Sequence, residues 1–296
     1  PVYGRASGAP APRNNVWWLS VYTARAGPLY RKNTGRAALL VSGAILLLLA
    51  LTLTVGPIAL LARYAERLGW AGLLLQAWLL KCAFSLRGLW RAAREVRTLL
   101  AGGRLDDART RVGWHLVSRP THQLSSSEVA SATVESVAEN LTDSIMAPLC
   151  FFLLGGLPAA WAYRVVNTAD AMLGYRQGEL EYLGKTSARL DDLLNWIPAR
   201  LAGLGFVAGA WVAGESGRRA WRVMLRDRGR TLSPNAGWTI AAMAGALGIV
   251  LEKPGAYRLG GDALPGVDAI DRALRVTMAA SGLCVAGSLL AALLWR

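Results

Sequence analysis

Carboxylate, amide and hydroxyl side chains are concentrated in four short stretches of a chain that is otherwise apolar and rich in arginine. The stretches occupy residues 118–121, 132–143, 167–175 and 188–200. Each borders or interrupts apolar sequence, and burying an unpaired charge costs enough free energy that such groups normally have partners or a function. We therefore expect the functional site to be built from these stretches.

Three carboxylates, Glu135, Glu139 and Asp143, recur at every fourth residue of the second stretch. In a helix this spacing places them on one face, where like charges repel each other by roughly 0.2–0.5 kcal/mol per pair. A cation is therefore expected opposite them. Two interpretations stay open: neighbouring arginines neutralise the carboxylates, or one or two of them bind Mg²⁺ together with substrate phosphates, because Mg²⁺ prefers oxygen ligands.

Asp191 and Asp192 form a second acidic pair in the fourth stretch. Successive residues of a helix point about 100° apart, so the two carboxylates can contact different partners. One is expected to pair with Arg189 or Arg200. The other is then available to a metal ion or to an incoming amine.

Basic and short polar side chains accompany the carboxylates. Arg119 and Lys185 are candidates for phosphate binding, and a planar guanidinium suits bidentate phosphate contacts better than an ammonium does. The short polar groups have two open interpretations, as helix caps and turn residues or as substrate contacts. These groups are Asn167, Asp170, Asn195 and a Ser-Pro-Asn-Ala-Gly turn at 233–237.

Five motifs occur in order along the chain and resemble one known family. They are Ser-Arg-x-Thr from residue 118, Ala-Thr-Val-Glu-Ser-Val-x-Glu-Asn-x-x-Asp from 132, Asn-Thr-x-Asp-x-Met-x-Gly-Tyr from 167, Ala-Arg-Leu-Asp-Asp-x-x-Asn-Trp-x-Pro-Ala-Arg from 188, and Ser-Pro-Asn-Ala-Gly from 233. At these motifs the chain resembles the membrane-bound adenosylcobinamide-phosphate synthases of cobalamin biosynthesis. The resemblance covers roughly residues 35–260, and the chain differs from many members at Asn14-Asn15-Val16, Thr231 and Ile240.

The resemblance implies an ATP-dependent ligase that joins adenosylcobyric acid, a corrinoid, to aminopropanol or its phosphate. It implies Mg²⁺ at Glu135, Glu139 and Asp143, and catalytic roles for Glu135 and Glu139 and for Asp191 or Asp192, one of which would receive the proton of the amine. Phosphates would be bound by Arg119, Lys185 and Arg189. Other motif residues implied to contact substrate are Ser118, Thr121, Thr133, Asn140, Asn167, Asp170, Tyr175, Asn195, Arg200, Ser233 and Asn235. No Walker-type or glycine-rich phosphate loop is present in the sequence.

The composition independently indicates a membrane protein. Of 296 residues, 53% are hydrophobic and only 18% are charged, and a bilayer-spanning helix needs about 20 apolar residues. Uncharged runs at 37–61 and 276–295 meet that length, and runs at 68–86, 146–163 and 193–214 approach it. We predict an all-α, polytopic membrane protein, with a basic and mostly flexible arm over 1–36 and a single helical membrane domain over 37–296 whose motif core is 115–240.

The net charge of +14 comes largely from three arginine-rich stretches, 1–36, 87–119 and 218–230. By the positive-inside rule these lie in the cytoplasm, which places the protein in the cytoplasmic (inner) membrane with a cytoplasmic active site. The stretches lack the context of a nucleic-acid module, so membrane lipid is the expected partner and nucleic acid is not. Three scattered cysteines and two histidines indicate neither a disulfide framework nor a transition-metal site.

Local patterns predict how the motifs are positioned. An amphipathic surface helix is expected over 86–100, a second helix over 106–117, and a third over 128–143 that is capped by the serines at 125–127. One active site cannot use both sides of a bilayer. The runs 146–163 and 193–214 are therefore predicted to be buried or re-entrant, broken near Gly155-Gly156 and Pro198, so that Asp170, Arg189 and Asp192 share a cytoplasmic cleft with Glu135 and Glu139.

Two other functional classes share some of these sequence features. A distant relative of the family acts as a membrane sensor and resembles residues 147–149 and 195–203, but it lacks the first three motifs that this chain retains. A small carrier would use intramembrane Asp and Arg, yet five or fewer spans without repeat symmetry disfavour it.

Overall fold

The computed structural model describes residues 35–84, 86–117, 119–174 and 180–294. Most of the predicted basic arm, Ser118 and Tyr175 lie outside the described residues. The described residues pack as two compact units: those up to Cys82 with those of 157–191, and those of 83–156 with those of 192–294. The single membrane domain over 37–296 stays a prediction.

The first unit is built around a long apolar helix. Helix α1 (Arg36–Ala65) is followed by a 3₁₀ turn (Glu66–Leu68) and α2 (Gly69–Ala83). The unit also holds the second part of α6 (Ala147–Leu173), the short α7 (Leu180–Leu183) and most of α8 (Lys185–Leu194), and α7 packs directly on α1.

The second unit contains the remaining helices and the larger core. Its helices are α3 (Leu86–Ala101), α4 (Leu105–His115), α5 (Ser126–Leu141), the first part of α6, α9 (Trp196–Val212), α10 (Gly217–Asp227), α11 (Ala236–Leu247) and α12 (Asp268–Leu294). Helix α11 is buried along nearly its whole length between α9, α10 and α5. Small residues make this packing possible, since a Cβ at Gly245 would lie 2.7 Å from the Arg219 carbonyl oxygen.

Three helical segments of the described chain are long and apolar enough to cross a membrane: Arg36–Ala83, Ser126–Leu173 and Asp268–Leu294. Helices α8 and α9, bent at Asn195, form a fourth if the pair is counted as one span. These segments include the uncharged runs at 37–61 and 276–295, which confirms the helical membrane class. Which membrane the protein occupies, and in which orientation, stays a prediction.

The two predicted breaks have different outcomes. Gly155 and Gly156 interrupt α6 as predicted, and Gly156 has φ 64° and ψ −156°, a conformation open essentially to glycine alone. The break predicted near Pro198 falls three residues earlier, at Asn195. Pro198 lies in the first turn of α9, where its missing N–H group removes no helical hydrogen bond, and the chain turns at Asn195 instead.

A two-stranded antiparallel hairpin, β1 (Val250–Lys253) and β2 (Tyr257–Gly260), was not predicted. Its register pairs Val250 with Gly260 and Lys253 with Tyr257. The hairpin is held on α5 because the Glu252 N–H donates to Ser131 Oγ at 3.0 Å. The helical class is confirmed, and the hairpin is an addition to it.

Asp227, fully buried at the end of α10, holds the other end of the hairpin. Its carboxylate accepts hydrogen bonds from Arg226 Nε at 2.9 Å and Nη2 at 2.7 Å, and from the Gly260 N–H at 2.9 Å. Arg230 Nη1 lies 3.2 Å away. Burial opposes ionisation, but the bonds from Arg226 and Gly260 hold the pKa of Asp227 below its usual value.

Replacing Asp227 with Asn is expected to destabilise the second unit by about 2 kcal/mol, because a buried charge-assisted hydrogen-bond set is lost. Since the folded-state pKa of Asp227 is depressed, its contribution is present above the unfolded pKa of about 4 and is lost as pH falls below it. Thermal unfolding in detergent at pH 7 and at pH 3 measures both effects. Asp262→Asn, which removes a fully exposed carboxylate 3.6 Å from Arg258, is the control and should change nothing. An equal change in both variants would contradict this role for Asp227.

Candidate functional site

Helix α5 carries the acidic residues, and its start is fixed by local hydrogen bonds. The Ser125 side chain accepts from the Glu128 N–H, and the Glu128 carboxylate accepts from the Ser125 N–H at 2.7 Å, which is a complete capping box. The helix predicted over 128–143 is thereby confirmed, with bounds Ser126–Leu141. It continues through a π-helical turn at Thr142–Met146, a feature often found at functional sites.

Glu135 stands at the centre of a buried polar contact. The Tyr257 hydroxyl donates to Glu135 Oε1 at 2.6 Å, and Arg119 Nη2 lies 3.5 Å from Glu135 Oε2. The side chains of Arg119 and Glu135 are only 18% and 7% exposed. Among the described residues, three of their buried atoms have no hydrogen-bond partner: Arg119 Nε, Arg119 Nη1 and Glu135 Oε2.

Such unsatisfied atoms are costly. Leaving a buried polar donor or acceptor unpaired costs about 1–3 kcal/mol, and more when it is charged. Arg119 therefore presents two N–H donors, and Glu135 one acceptor, that an incoming polar group could satisfy. Guanidinium donors of this kind are suited to a phosphate or a carboxylate.

Glu139, one helical turn beyond Glu135, is half-buried. No other side chain in the described residues hydrogen-bonds to its carboxylate, although Lys253 and Arg119 are close enough to interact with it electrostatically. Burial and the charges of Glu135 and Glu139 raise the pKa of the Tyr257 phenol above its usual value, so the hydroxyl stays protonated as a donor. The hairpin thus brings Tyr257 and Lys253 to the acidic face of α5.

Asp143 and Asn195 are joined by a contact that spans 52 positions in the sequence. Asn195 Nδ2 donates to Asp143 Oδ1 at 3.2 Å, and Asn195 is buried at the turn that precedes α9. Two residues from different motifs are thus brought together. Asp143 lies in the π-helical turn and not in the regular helix that carries Glu135 and Glu139.

Asp192 is bound by the Ser-Pro-Asn-Ala-Gly turn. Ser233 Oγ donates to Asp192 Oδ1 at 3.1 Å, and Asn235 Nδ2 donates to the Asp192 carbonyl oxygen at 2.7 Å. Asn235 Oδ1 is buried without a partner. Gly237 is required here, since a Cβ would lie 2.1 Å from the Arg228 carbonyl oxygen. The motif is both a structural turn and a support for Asp192.

Arg200 lies in an aromatic and basic cluster. Its guanidinium is 4.0 Å from the Trp196 ring and 4.8 Å from the Trp238 ring, and Arg228 is 4.6 Å from Trp238. These are cation–π distances, which stabilise exposed pairs by about 0.5–1 kcal/mol. No contact in the structure assigns this cluster a ligand.

Three residues that are predicted to contact substrate donate side-chain hydrogen bonds to backbone carbonyl oxygens. Thr121 Oγ1 donates to the Arg109 carbonyl oxygen at 2.8 Å, Thr133 Oγ1 to that of Val129 at 2.8 Å, and Asn140 Nδ2 to that of Ser136 at 2.9 Å. Thr133 is fully buried. These bonds stabilise α4 and α5, and a role for the three residues in substrate binding stays a prediction.

Within the first unit, Asn167 Nδ2 donates to Asp191 Oδ1 at 3.2 Å. A Cβ at Gly174 would lie 2.0 Å from Asp170 Oδ1, so the Asp170 carboxylate folds over the end of α6. Lys185 and Arg189 are exposed, and Lys185 Nζ is 5.6 Å from the Tyr182 ring. The expected pairing of Asp191 or Asp192 with Arg189 or Arg200 is absent from the ion pairs of the described residues.

No group of three or more His, Cys, Asp and Glu side chains in the described ranges is arranged to hold a metal ion. Glu135, Glu139 and Asp143 therefore do not form a preassembled three-carboxylate site. The donor chemistry still fits Mg²⁺, which is commonly held by one or two carboxylates together with waters and substrate phosphates. Glu135 Oε2 and the Glu139 carboxylate are the atoms available for such a role.

Sequence reasoning missed Tyr257 and Lys253. Both lie on the unpredicted hairpin, close to the end of the recognised motifs. The local signal was the Pro254-Gly255 pair between two short runs that contain Val, Leu and Tyr, which is typical of a tight turn between strands.

Tyr257→Phe is expected to leave the protein folded and to reduce its activity by about tenfold. This is the lower end of the loss seen when a residue that orients a metal-binding or catalytic side chain loses its hydrogen bond. The ring keeps its packing while Glu135 loses the 2.6 Å hydrogen bond that orients it. The effect is measured as the rate at which the purified protein catalyses the ligase reaction that the family resemblance implies. Tyr64→Phe, at an exposed site on α1, is the matched control. Unchanged turnover in Tyr257→Phe would remove the hairpin from the site.

The fold and site define a helical membrane protein with a buried carboxylate–arginine centre. The sequence matches the family described as CobD/Cbib protein over residues 5–280. The chain therefore belongs to the CobD/CbiB family of cobalamin biosynthesis proteins, as the five motifs indicated.

Three relatives illustrate the similarity. The chain is 48% identical to the cobalamin biosynthesis protein CobD of Dehalococcoides mccartyi over 65% of this chain and 62% of that protein. It is 47% identical to the probable CobD of Methanothermobacter thermautotrophicus over 66% of this chain and 65% of that one. It is 39% identical to CbiB of Salmonella typhi over 85% of this chain and 82% of that protein. The aligned segment thus spans less than two thirds of the first two relatives. No solved structure matches the chain.

Proposed function

We propose that this protein is an acid–amine ligase of cobalamin biosynthesis. It would join the free propionate carboxylate of adenosylcobyric acid to the amine of aminopropanol or its phosphate, and ATP would be consumed. The observation that carries the proposal is the buried centre on α5. Arg119 holds two unpartnered donors there beside the carboxylates of Glu135 and Glu139.

The chemistry explains why such a centre is needed. A carboxylate is unreactive toward an amine until one of its oxygens takes the terminal phosphoryl group of ATP, which releases ADP. The amine nitrogen then attacks the acyl carbon, phosphate leaves, and a base receives one proton from nitrogen. Fixed cations opposite the phosphoryl oxygens stabilise the charge that develops.

The side chains of the second unit supply these functions. Arg119 would bind phosphoryl oxygens through its Nε and Nη1 groups, and Tyr257 would orient Glu135. Glu139 or Asp192 would receive the proton of the amine. Mg²⁺, when bound through Glu135 or Glu139, would neutralise phosphate charge.

Residues of the first unit stay candidates by motif. Asp191 is hydrogen-bonded by Asn167, and Lys185 and Arg189 are exposed and free to meet a large anionic ligand. The arginine-rich stretches favour a cytoplasmic active site in the cytoplasmic membrane, where ATP is available. An open cleft would accept both free and phosphorylated aminopropanol. The enzyme would be specific for its corrinoid substrate.

The test is an assay of detergent-purified full-length chain with adenosylcobyric acid, aminopropanol or its phosphate, ATP and Mg²⁺. We expect ADP release that requires both the corrinoid and the amine, and an amide product of matching amount by mass spectrometry. A porphyrin-like carboxylic acid in place of the corrinoid is the specificity control and should give no product. Folded protein that releases no corrinoid-dependent ADP under all these conditions would refute the proposal.

A further inference from the structure

An arginine-lined groove lies on α3 and α4, away from the carboxylates of α5. It has a volume of about 690 Å³, and its lining includes Arg87, Arg91, Arg94, Arg104 and Arg111. Among the described residues of the lining, the one acidic side chain is Glu95. The groove is therefore strongly positive, and the proposed ligase chemistry makes no use of it.

Most of this positive charge has no counter-charge. Arg111 Nε is paired with Glu95 Oε2 at 2.8 Å, and Arg104 lies 3.7 Å from the exposed Asp107. Among the described residues, no carboxylate is within ion-pair distance of Arg87, Arg91 or Arg94. These three guanidinium groups are exposed, at spacings of three and four residues that place them along one side of the helix.

The opposite side of α3 is a packed face. Ala92, Ala93, Val96 and Leu100 are buried there against the core of the second unit. Because this apolar face is already covered, the arginines on the other side are fixed on a stable helix and do not need to fold against a partner. The groove is thus preformed.

Two observations favour a position of the groove at a membrane surface. Arg97 Nε on α3 is 2.8 Å from Asp271 Oδ2, in the first turn of the candidate span Asp268–Leu294. Helix α3 also begins three residues after the end of the candidate span Arg36–Ala83. A helix that contacts the first turn of a span lies at the level of lipid headgroups. Trp90, 5.6 Å from Arg94, is a residue type enriched at that level.

We propose that this groove binds the phosphate group of an anionic phospholipid such as phosphatidylglycerol. Guanidinium groups bind phosphate oxygens through paired N–H donors, and each basic residue near an anionic surface contributes substantially to binding. The lipid headgroup would hold α3, and through Arg97 the start of α12, at a fixed depth in the bilayer. The site is independent of the proposed ligase function.

The test uses the full-length chain purified in neutral detergent, with native mass spectrometry of retained lipid. Dioleoyl phosphatidylglycerol is titrated against dioleoyl phosphatidylcholine of the same chain length. We expect preferential retention of phosphatidylglycerol, and a roughly tenfold or greater loss of that preference in the double variant Arg87→Gln, Arg91→Gln. The matched control is Arg218→Gln, Arg222→Gln, which removes two exposed arginines with the same spacing from α10. It should retain the lipid.

Three outcomes would overturn the proposal. One is equal loss in both double variants, which would show a nonspecific charge effect. Another is equal retention of the two lipids by the unmodified chain. The third is complete displacement of the lipid by millimolar inorganic phosphate, which would assign the groove to a free anion. If the first double variant does not fold, photo-crosslinking of the unmodified chain with a headgroup-reactive phosphatidylglycerol decides the question, since labelling must fall within residues 86–111.

Discussion

Glu139→Gln is expected to abolish product formation, with at least a 100-fold loss, while the protein stays folded and membrane-inserted. The substitution keeps shape and size but removes a half-buried carboxylate that has no hydrogen-bond partner among the described residues. Whether this carboxylate receives a proton or binds Mg²⁺, the neutral amide cannot replace it, and loss of a positioned acid or base typically costs about 10²–10⁴ in rate. Amide product is measured at saturating substrates and saturating Mg²⁺.

The control for this variant is Glu128→Gln on the same helix. Glu128 closes the capping box at the start of α5, and glutamine also performs that function, so the control should keep both stability and activity. Full activity in Glu139→Gln would remove Glu139 from the catalytic proposal. A Mg²⁺ titration separates the two roles: a metal ligand changes the Mg²⁺ dependence, whereas a base changes turnover alone.

The sequence predicted the helices well because their signals are local. A run of 25 uncharged residues is long enough to predict α1 without knowledge of its neighbours. The start of α5 follows from Ser125 and Glu128, which are three residues apart. The break in α6 follows from two consecutive glycines. In each case the physical cause lies within one or two turns of the feature.

The contacts that assemble the centre could not be predicted in the same way. Arg119 and Glu135 are 16 positions apart, and Tyr257 follows Glu135 by 122. Their meeting depends on how the hairpin packs on α5 and how Asp227 holds it, which no local pattern encodes. The motifs marked Arg119 and Glu135 as candidates, but only the structure pairs them and adds Tyr257.

Asp143 illustrates why equal spacing can mislead. The spacing of four predicts that Asp143 continues the acidic face of Glu135 and Glu139. The π-helical turn at Thr142–Met146 widens the helix at that point, and Asp143 accepts a hydrogen bond from Asn195. Asp143 is still close enough to Glu139 to interact with it electrostatically, but it also bonds to the turn that opens α9.

Arg119→Lys is expected to reduce product formation by about 100-fold without unfolding the protein. Arg119 keeps one N–H group 3.5 Å from Glu135 and leaves Nε and Nη1 unpartnered in a buried environment. Lysine preserves the positive charge that offsets Glu135 but cannot reproduce the planar fork, so phosphoryl oxygens lose a paired contact. Removing one donor that stabilises developing charge costs about 10²–10³ in rate.

The measurement compares turnover with binding of a nonhydrolysable ATP analogue in Arg119→Lys and in Arg258→Lys, an exposed arginine on the same hairpin as Tyr257. If Arg119 acts on the phosphoryl group in the transition state, turnover falls much more than analogue affinity does, and Arg258→Lys shows neither change. If Arg119 only balances the charge of Glu135, lysine should sustain near-normal turnover because the charge is kept. That second result would assign Arg119 a structural role and would leave the phosphate site to be found among exposed cations such as Lys185 and Arg189.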